Sequence, residues 1–209
     1  MLMFIAAGLL DPETILRRGG LAVLLLIVFA ESGLFFGFFL PGDSLLFVAG
    51  FLASSAGGQL LPDPMLLIPS LFVVAVLGDQ VGYMFGARVG PALFSRPDSR
   101  FFRKSHVERA HAFYEKYGAK TIVLARFVPI VRTFAPIIAG VASMRYRTFL
   151  AFNLAGGLLW TAGVTLAGFY LGGLPIIRQN IEIALIGIVG LSVLPIVVEV
   201  LRHRAKRRT

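Results

Sequence analysis

The 209 residues are 57% hydrophobic, with a mean hydropathy of +0.83 and a formal net charge of +9 at pH 7. A chain this apolar excludes the ordinary soluble domain and makes an integral membrane protein the expected class. It holds no cysteine, which excludes disulfides and thiolate metal sites.

The opening stretch MLMFIAAGLLDPETILRR leads with its apolar run, has no basic lead and meets no small-residue cleavage site. It therefore reads as an interfacial segment over 1–20 rather than a signal peptide. Apolar stretches near 21–40, 65–87, 148–172 and 181–201 follow. Each approaches the roughly 20 residues that cross a bilayer as a helix. Two further stretches fit that template poorly: 44–56 is short, and 121–142 carries Arg126, Arg132, Pro129 and Pro136. Short or proline-interrupted apolar segments tend to dip into the membrane and return to the same side. Pro41-Gly42, Pro129 and Pro136 are the expected hinges, because proline removes a backbone donor and ends a helix. Segment 21–40 either spans or forms the first half of a re-entrant hairpin over 21–56.

Charge sets the orientation. The loop 57–64 has no Lys or Arg and reads as outside; the basic linker 96–120, Arg145, Arg147 and the tail 202–209 read as inside. The expected protein is multi-pass in a bacterial inner membrane, with 21–175 as its membrane domain, 176–201 as a C-terminal transmembrane helix and 202–209 as a basic cytoplasmic tail. Because the basic clusters border apolar stretches, they suit anionic lipid headgroups and not nucleic acid. Val107, Ala110, Phe113 and Tyr117 recur at helical spacing, as in an amphipathic helix over 105–120. His106, His111 and His203 have no metal spacing and lie far in sequence from the arginines, so no metal, no cofactor and no phosphohistidine enzyme is expected. Ala49-Gly50 and Ala139-Gly140 follow the two breaks, and Gly78/Gly82 and Gly168/Gly172 follow each of those glycines by 28 residues. That pattern is either an inverted repeat of the kind transporters use or coincidence in a glycine-rich chain.

The charges inside the apolar stretches are few: Glu31, Asp43, Asp79, Arg126 and Arg132, with Arg88 near an end. Each costs roughly 2.5–3.5 kcal/mol at the bilayer centre, so they must pair or line water. The simplest solution sets Glu31 and Asp43 against Arg126 and Arg132. Either these are static salt bridges, or the arginines hold a phosphate with their planar fork of donors while the carboxylates exchange ions. Asp79 and Arg88 are secondary candidates, Asp79 lying in a glycine-rich helix face that suits close packing. Tyr83 and Trp160 read as core or interface aromatics, and Asn153 as a helix cap or a cross-bonding amide.

At Glu31, FLPGDSLLFVAG (39–50), GDQVGYMFGARVG (78–90), ARFVPIVRTFAPIIAGVASM (125–144) and NLAGGLLW (153–160), the sequence resembles the DedA family of VTT-domain membrane proteins. The resemblance covers about 20–175. It implies an all-α membrane fold with two opposed re-entrant helical hairpins. It also implies movement of a phosphate-headed lipid, such as undecaprenyl phosphate or a phospholipid, linked to a proton or sodium gradient. The family's arginines match Arg126 and Arg132, the expected substrate-binding pair; its acids match Glu31 and Asp43, the expected ion-coupling pair. The alternatives are an ion-coupled antiporter of a small solute and a non-transporting membrane assembly factor. Membrane lipids are the expected partners, and a homo-oligomer is left open.

Overall fold

The computed structural model describes residues 12–33, 42–94 and 118–174. The expected amphipathic segment 105–120 short of its last three residues, the expected helix over 181–201, the basic tail, the histidines and Pro41 lie outside them. Among the described residues the fold is helical: α1 (Pro12–Gly33), α2 (Gly42–Ala53), α3 (Pro64–Phe94), α4 (Lys120–Ala125), α5 (Pro129–Val141) and α6 (Tyr146–Leu171). Two of these, over Pro64–Gly90 and Tyr146–Leu171, are long and apolar enough to cross a membrane.

Local chemistry accounts for the boundaries. α1 bends at Gly20, whose φ of 56° suits a residue without a Cβ. α2 carries Asp43 in its first turn, where a carboxylate meets the positive end of the helix dipole. At the start of α3, Asp63 Oδ1 accepts from the Met65 N–H at 2.9 Å, and Pro64 needs no donor. Val128 is extended (φ −120°, ψ 105°), as a residue before proline prefers. The hinge expected at Pro129 is therefore the break between α4 and α5. Pro136, also expected as a hinge, sits inside α5, which continues past it to Val141.

The chain divides into two compact units. One comprises Met1–Leu24, Pro41–Ile68 and Gly163–Thr209; the other comprises Leu25–Leu40 and Pro69–Ala162. In the first, α2 packs on the end of α6 through glycines. A Cβ on Gly168 would strike the Phe47 carbonyl, one on Gly50 would strike Thr165 and Phe169 backbone, and one on Gly172 would strike Phe51. In the second, α5 packs on α3 in the same manner. Gly86 meets Ile137, Gly140 meets Tyr83 and Ala87, and Gly90 meets Val141. Phe47, Gly50 and Phe51 thus correspond to Ile137, Gly140 and Val141, at the offset of the expected repeat. On the long helices, however, Gly168 and Gly172 correspond to Gly86 and Gly90. The pairing expected from spacing, with Gly78 and Gly82, is two helical turns out of register.

The second unit is turned inside out relative to a soluble protein. Val73, Leu77, Val81 and Met84 on α3 are each more than 40% exposed, while Asp79 and Tyr83 on the opposite face are buried. Such an arrangement is stable only where the surrounding medium is itself apolar.

Candidate functional site

The site lies within the second unit and grows from the break at Pro129. Arg126 closes the turn after α4, with its N–H on the Val123 carbonyl at 3.3 Å. Arg132 lies in the first turn of α5, its N–H on the Val128 carbonyl at 2.9 Å. The two guanidinium groups therefore come from opposite sides of one interruption.

Arg132 forms a salt bridge with Glu31 of α1. Arg126 forms one with Asp79 of α3. All four side chains are under 10% exposed. The carboxylates reach them because α1 and α3 cross closely at Gly33 and Gly78, where either Cβ would meet the other helix's backbone near 2.9 Å. Formal charge within the quartet sums to zero, as burial requires.

At Arg126 the structure shows a partner that the expected pairing did not include. Arg126 takes Asp79, the residue read from sequence as a packing position first and an ion-path residue second. Asp43 belongs to the first unit, half-buried at the head of α2. Asp79 reaches Arg126 because it sits on the buried face of α3, one turn ahead of Gly82 and Tyr83, where the glycine crossings draw α3 against its neighbours. Arg88, the other secondary candidate, is exposed and makes no ion pair among the described residues.

One face of α6 completes the site. Asn153, Gly156, Gly157 and Trp160 recur at i, i+3, i+4 and i+7, so they line one stripe. Asn153 is eight residues into the register of α6 and caps nothing; its Oδ1 accepts from Arg126 Nη2 at 2.6 Å. Gly156 and Gly157 leave room for the guanidinium. A Cβ on Gly156 would lie 3.1 Å from Arg126 Cδ, and one on Gly157 would lie 3.5 Å from Arg126 Nη2. The Trp160 ring, 2% exposed, has the Arg132 guanidinium carbon 4.7 Å from its centroid and that of Arg126 at 5.9 Å. Both cations thus lie within reach of one aromatic ring, an attraction that strengthens where water is absent. Trp160 is buried, as a core aromatic is, and the contact with both arginines is what its reading as a core or interface aromatic did not name.

A clamp fixes α3 to the turn after α5 and to the first turn of α6. Tyr83 donates its hydroxyl to the Met144 carbonyl and stacks on Phe149 at 4.5 Å between centroids. Tyr83, Ile122, Ala139 and Phe149 form one apolar core there.

Residues 40–170 match the model of the VTT domain. The chain is 49% identical to the Escherichia coli (strain K12) protein DedA, over 88% of its own length and 83% of that protein's. It is 50% identical to an uncharacterized membrane protein of Mycobacterium tuberculosis, over 95% of this chain and 89% of that one. It is 36% identical to the Escherichia coli inner membrane protein YqjA, over 74% and 68%. No solved structure matches the chain.

Proposed function

For this chain, which belongs to the DedA family of VTT-domain membrane proteins, we propose a transporter that moves a phosphate-headed lipid across the bacterial inner membrane. The observation that carries the reading is the pair of guanidinium groups buried near the one Trp160 ring, each held by a carboxylate. A neutral lipid headgroup would give no reason to bury two arginines at a cost of several kcal/mol. A phosphate does, because each guanidinium offers a planar fork of donors that fits two phosphate oxygens.

Glu31 and Asp79 act as internal stand-ins for the phosphate in this reading. A phosphate that displaces them brings negative charge into a site that is already neutral, so the freed carboxylates take up protons as it enters. That makes Glu31 and Asp79 the proposed coupling acids in the second unit. Asp43 keeps its proposed coupling role on the family pattern alone. The doubled contact of α2 on α6 and α5 on α3 supports an inverted repeat with a re-entrant hairpin in each half. Rocking of one half against the other then exposes the site alternately to the two faces.

The test is reconstitution in liposomes with labelled undecaprenyl phosphate and labelled phospholipid, with and without a pH gradient. Vesicles carrying the protein are expected to move the phosphate lipid faster than empty ones, and Arg126→Ala and Arg132→Ala variants inserted at normal levels are expected to lose that movement. Equal rates in empty vesicles would sink the reading. So would full activity in both variants.

A further inference from the structure

Resting on the phosphate-lipid reading above, we propose that Asn153 is a substrate-binding residue whose side-chain amide donates to a phosphate oxygen between the two arginines. The orientation of that amide follows from its neighbour. Arginine has donors only, so Asn153 must present Oδ1 to Arg126 Nη2, and this turns Nδ2 away. Asn153 is 0% exposed, and Nδ2 finds no acceptor among the described residues. A buried donor left in that state is costly, and native proteins seldom keep one without use.

Arg126 repeats the pattern. Its Nη2 is shared between Asp79 and Asn153, while its Nε, also buried, has no acceptor among the described residues. Asn153 Nδ2 and Arg126 Nε are thus both unsatisfied donors, N–H groups on a cation and on the amide bonded to it. A ligand that satisfies them must bring several acceptor oxygens and negative charge. A tetrahedral phosphate does so; a hydroxyl or a choline group does not. The chemistry is the same for a lipid phosphate and for free inorganic phosphate. Gly156 and Gly157 let the Arg126 side chain lie close against α6, and the Trp160 ring is near both guanidinium groups.

Asn153 and Asn180 are the two asparagines of the chain. Full-length protein with 15N-labelled asparagine side chains gives two NH2 signals, assigned by their loss in Asn153→Leu. Undecaprenyl phosphate, undecaprenol and inorganic phosphate are titrated separately, with 31P spectra reporting phosphate binding independently. The expected result is a downfield shift of the Asn153 NH2 protons with undecaprenyl phosphate and none with undecaprenol. Asn153→Leu is expected to bind undecaprenyl phosphate about tenfold more weakly, the loss of one hydrogen bond to a charged group. Binding of undecaprenyl phosphate with an unmoved Asn153 signal overturns the proposal and leaves the lipid reading standing. A shift with inorganic phosphate alone upholds the donor role and overturns the lipid as its source. Binding of neither phosphate overturns both.

Discussion

Asp79 and Arg126 hold each other where neither has water to fall back on. Removing one member leaves the other charged and buried, which costs about 3–5 kcal/mol, whereas replacing both by apolar groups of similar size is often neutral. Asp79→Ala is therefore expected to lower the thermal unfolding midpoint in detergent sharply. The double variant Asp79→Leu with Arg126→Met is expected to recover much of that loss while transporting no phosphate lipid. A double variant that still transports would remove Arg126 from the proposed site. Trp160 gives a second prediction at this scale. Trp160→Leu removes the aromatic ring both cations approach and is expected to weaken undecaprenyl phosphate binding by roughly tenfold, the worth of a desolvated cation–π contact near 1–2 kcal/mol. Trp160→Phe, which keeps a weaker face, falls between. Leucine and phenylalanine variants of equal affinity would show that only bulk matters there.

Element by element, the packing depends on glycines whose neighbours can be named. Gly86 of α3 lies against the Ile137 backbone, and backbone cannot move aside as a flexible side chain does. Gly86→Ala is expected to destabilise by about 1–3 kcal/mol through overpacking. Gly163 of α6 has nothing within 4 Å of an added Cβ. Gly163→Ala is expected to be neutral or to stabilise by up to about 1 kcal/mol, the helix-propensity gap between the two residues. Thermal unfolding of the two variants side by side checks both, and a Gly86→Ala protein as stable as the parent would refute the close crossing of α3 and α5. The same crossings explain how residues so far apart in sequence share a site. Gly33 against Gly78 brings the helices of Glu31 and Asp79 together, and the break at Pro129 presents Arg126 and Arg132 to them. The glycines' spacing was legible in the sequence; which turn of each long helix they occupy in the crossing was not. Two candidate registers, Gly78/Gly82 and Gly86/Gly90, share one spacing, and only the facing backbones tell them apart.

For the whole molecule, charge balance constrains the proposed cycle. The quartet Glu31, Asp79, Arg126 and Arg132 is formally neutral, and each uncompensated charge in the bilayer costs roughly 2.5–3.5 kcal/mol. A phosphate that enters with as many protons as it has negative charges keeps the sum at zero. Transport is therefore expected to respond to a pH gradient and to be indifferent to membrane potential. Liposomes clamped with a potassium ionophore at several potentials test this; a rate that scales with potential would exclude proton uptake matched to the phosphate charge.

Composition by itself determined the class of this protein, because 57% hydrophobic residues and stretches of spanning length leave few alternatives in water. Local rules determined the helix break before Pro129, since the residue ahead of a proline is pushed out of helical geometry. Electrostatics determined that buried charges of opposite sign must pair. That Arg126 meets Asp79 was left to the tertiary structure, because charge alone does not name which acid a buried arginine reaches. Asp79 meets it because the glycine crossings set the buried face of α3 against Arg126, and a salt bridge forms only where packing brings two charges within reach. The stripe of Asn153, Gly156, Gly157 and Trp160 was written in helical spacing all along, but its partner on the far side came from a distant segment, and proximity between distant segments is a property of the fold.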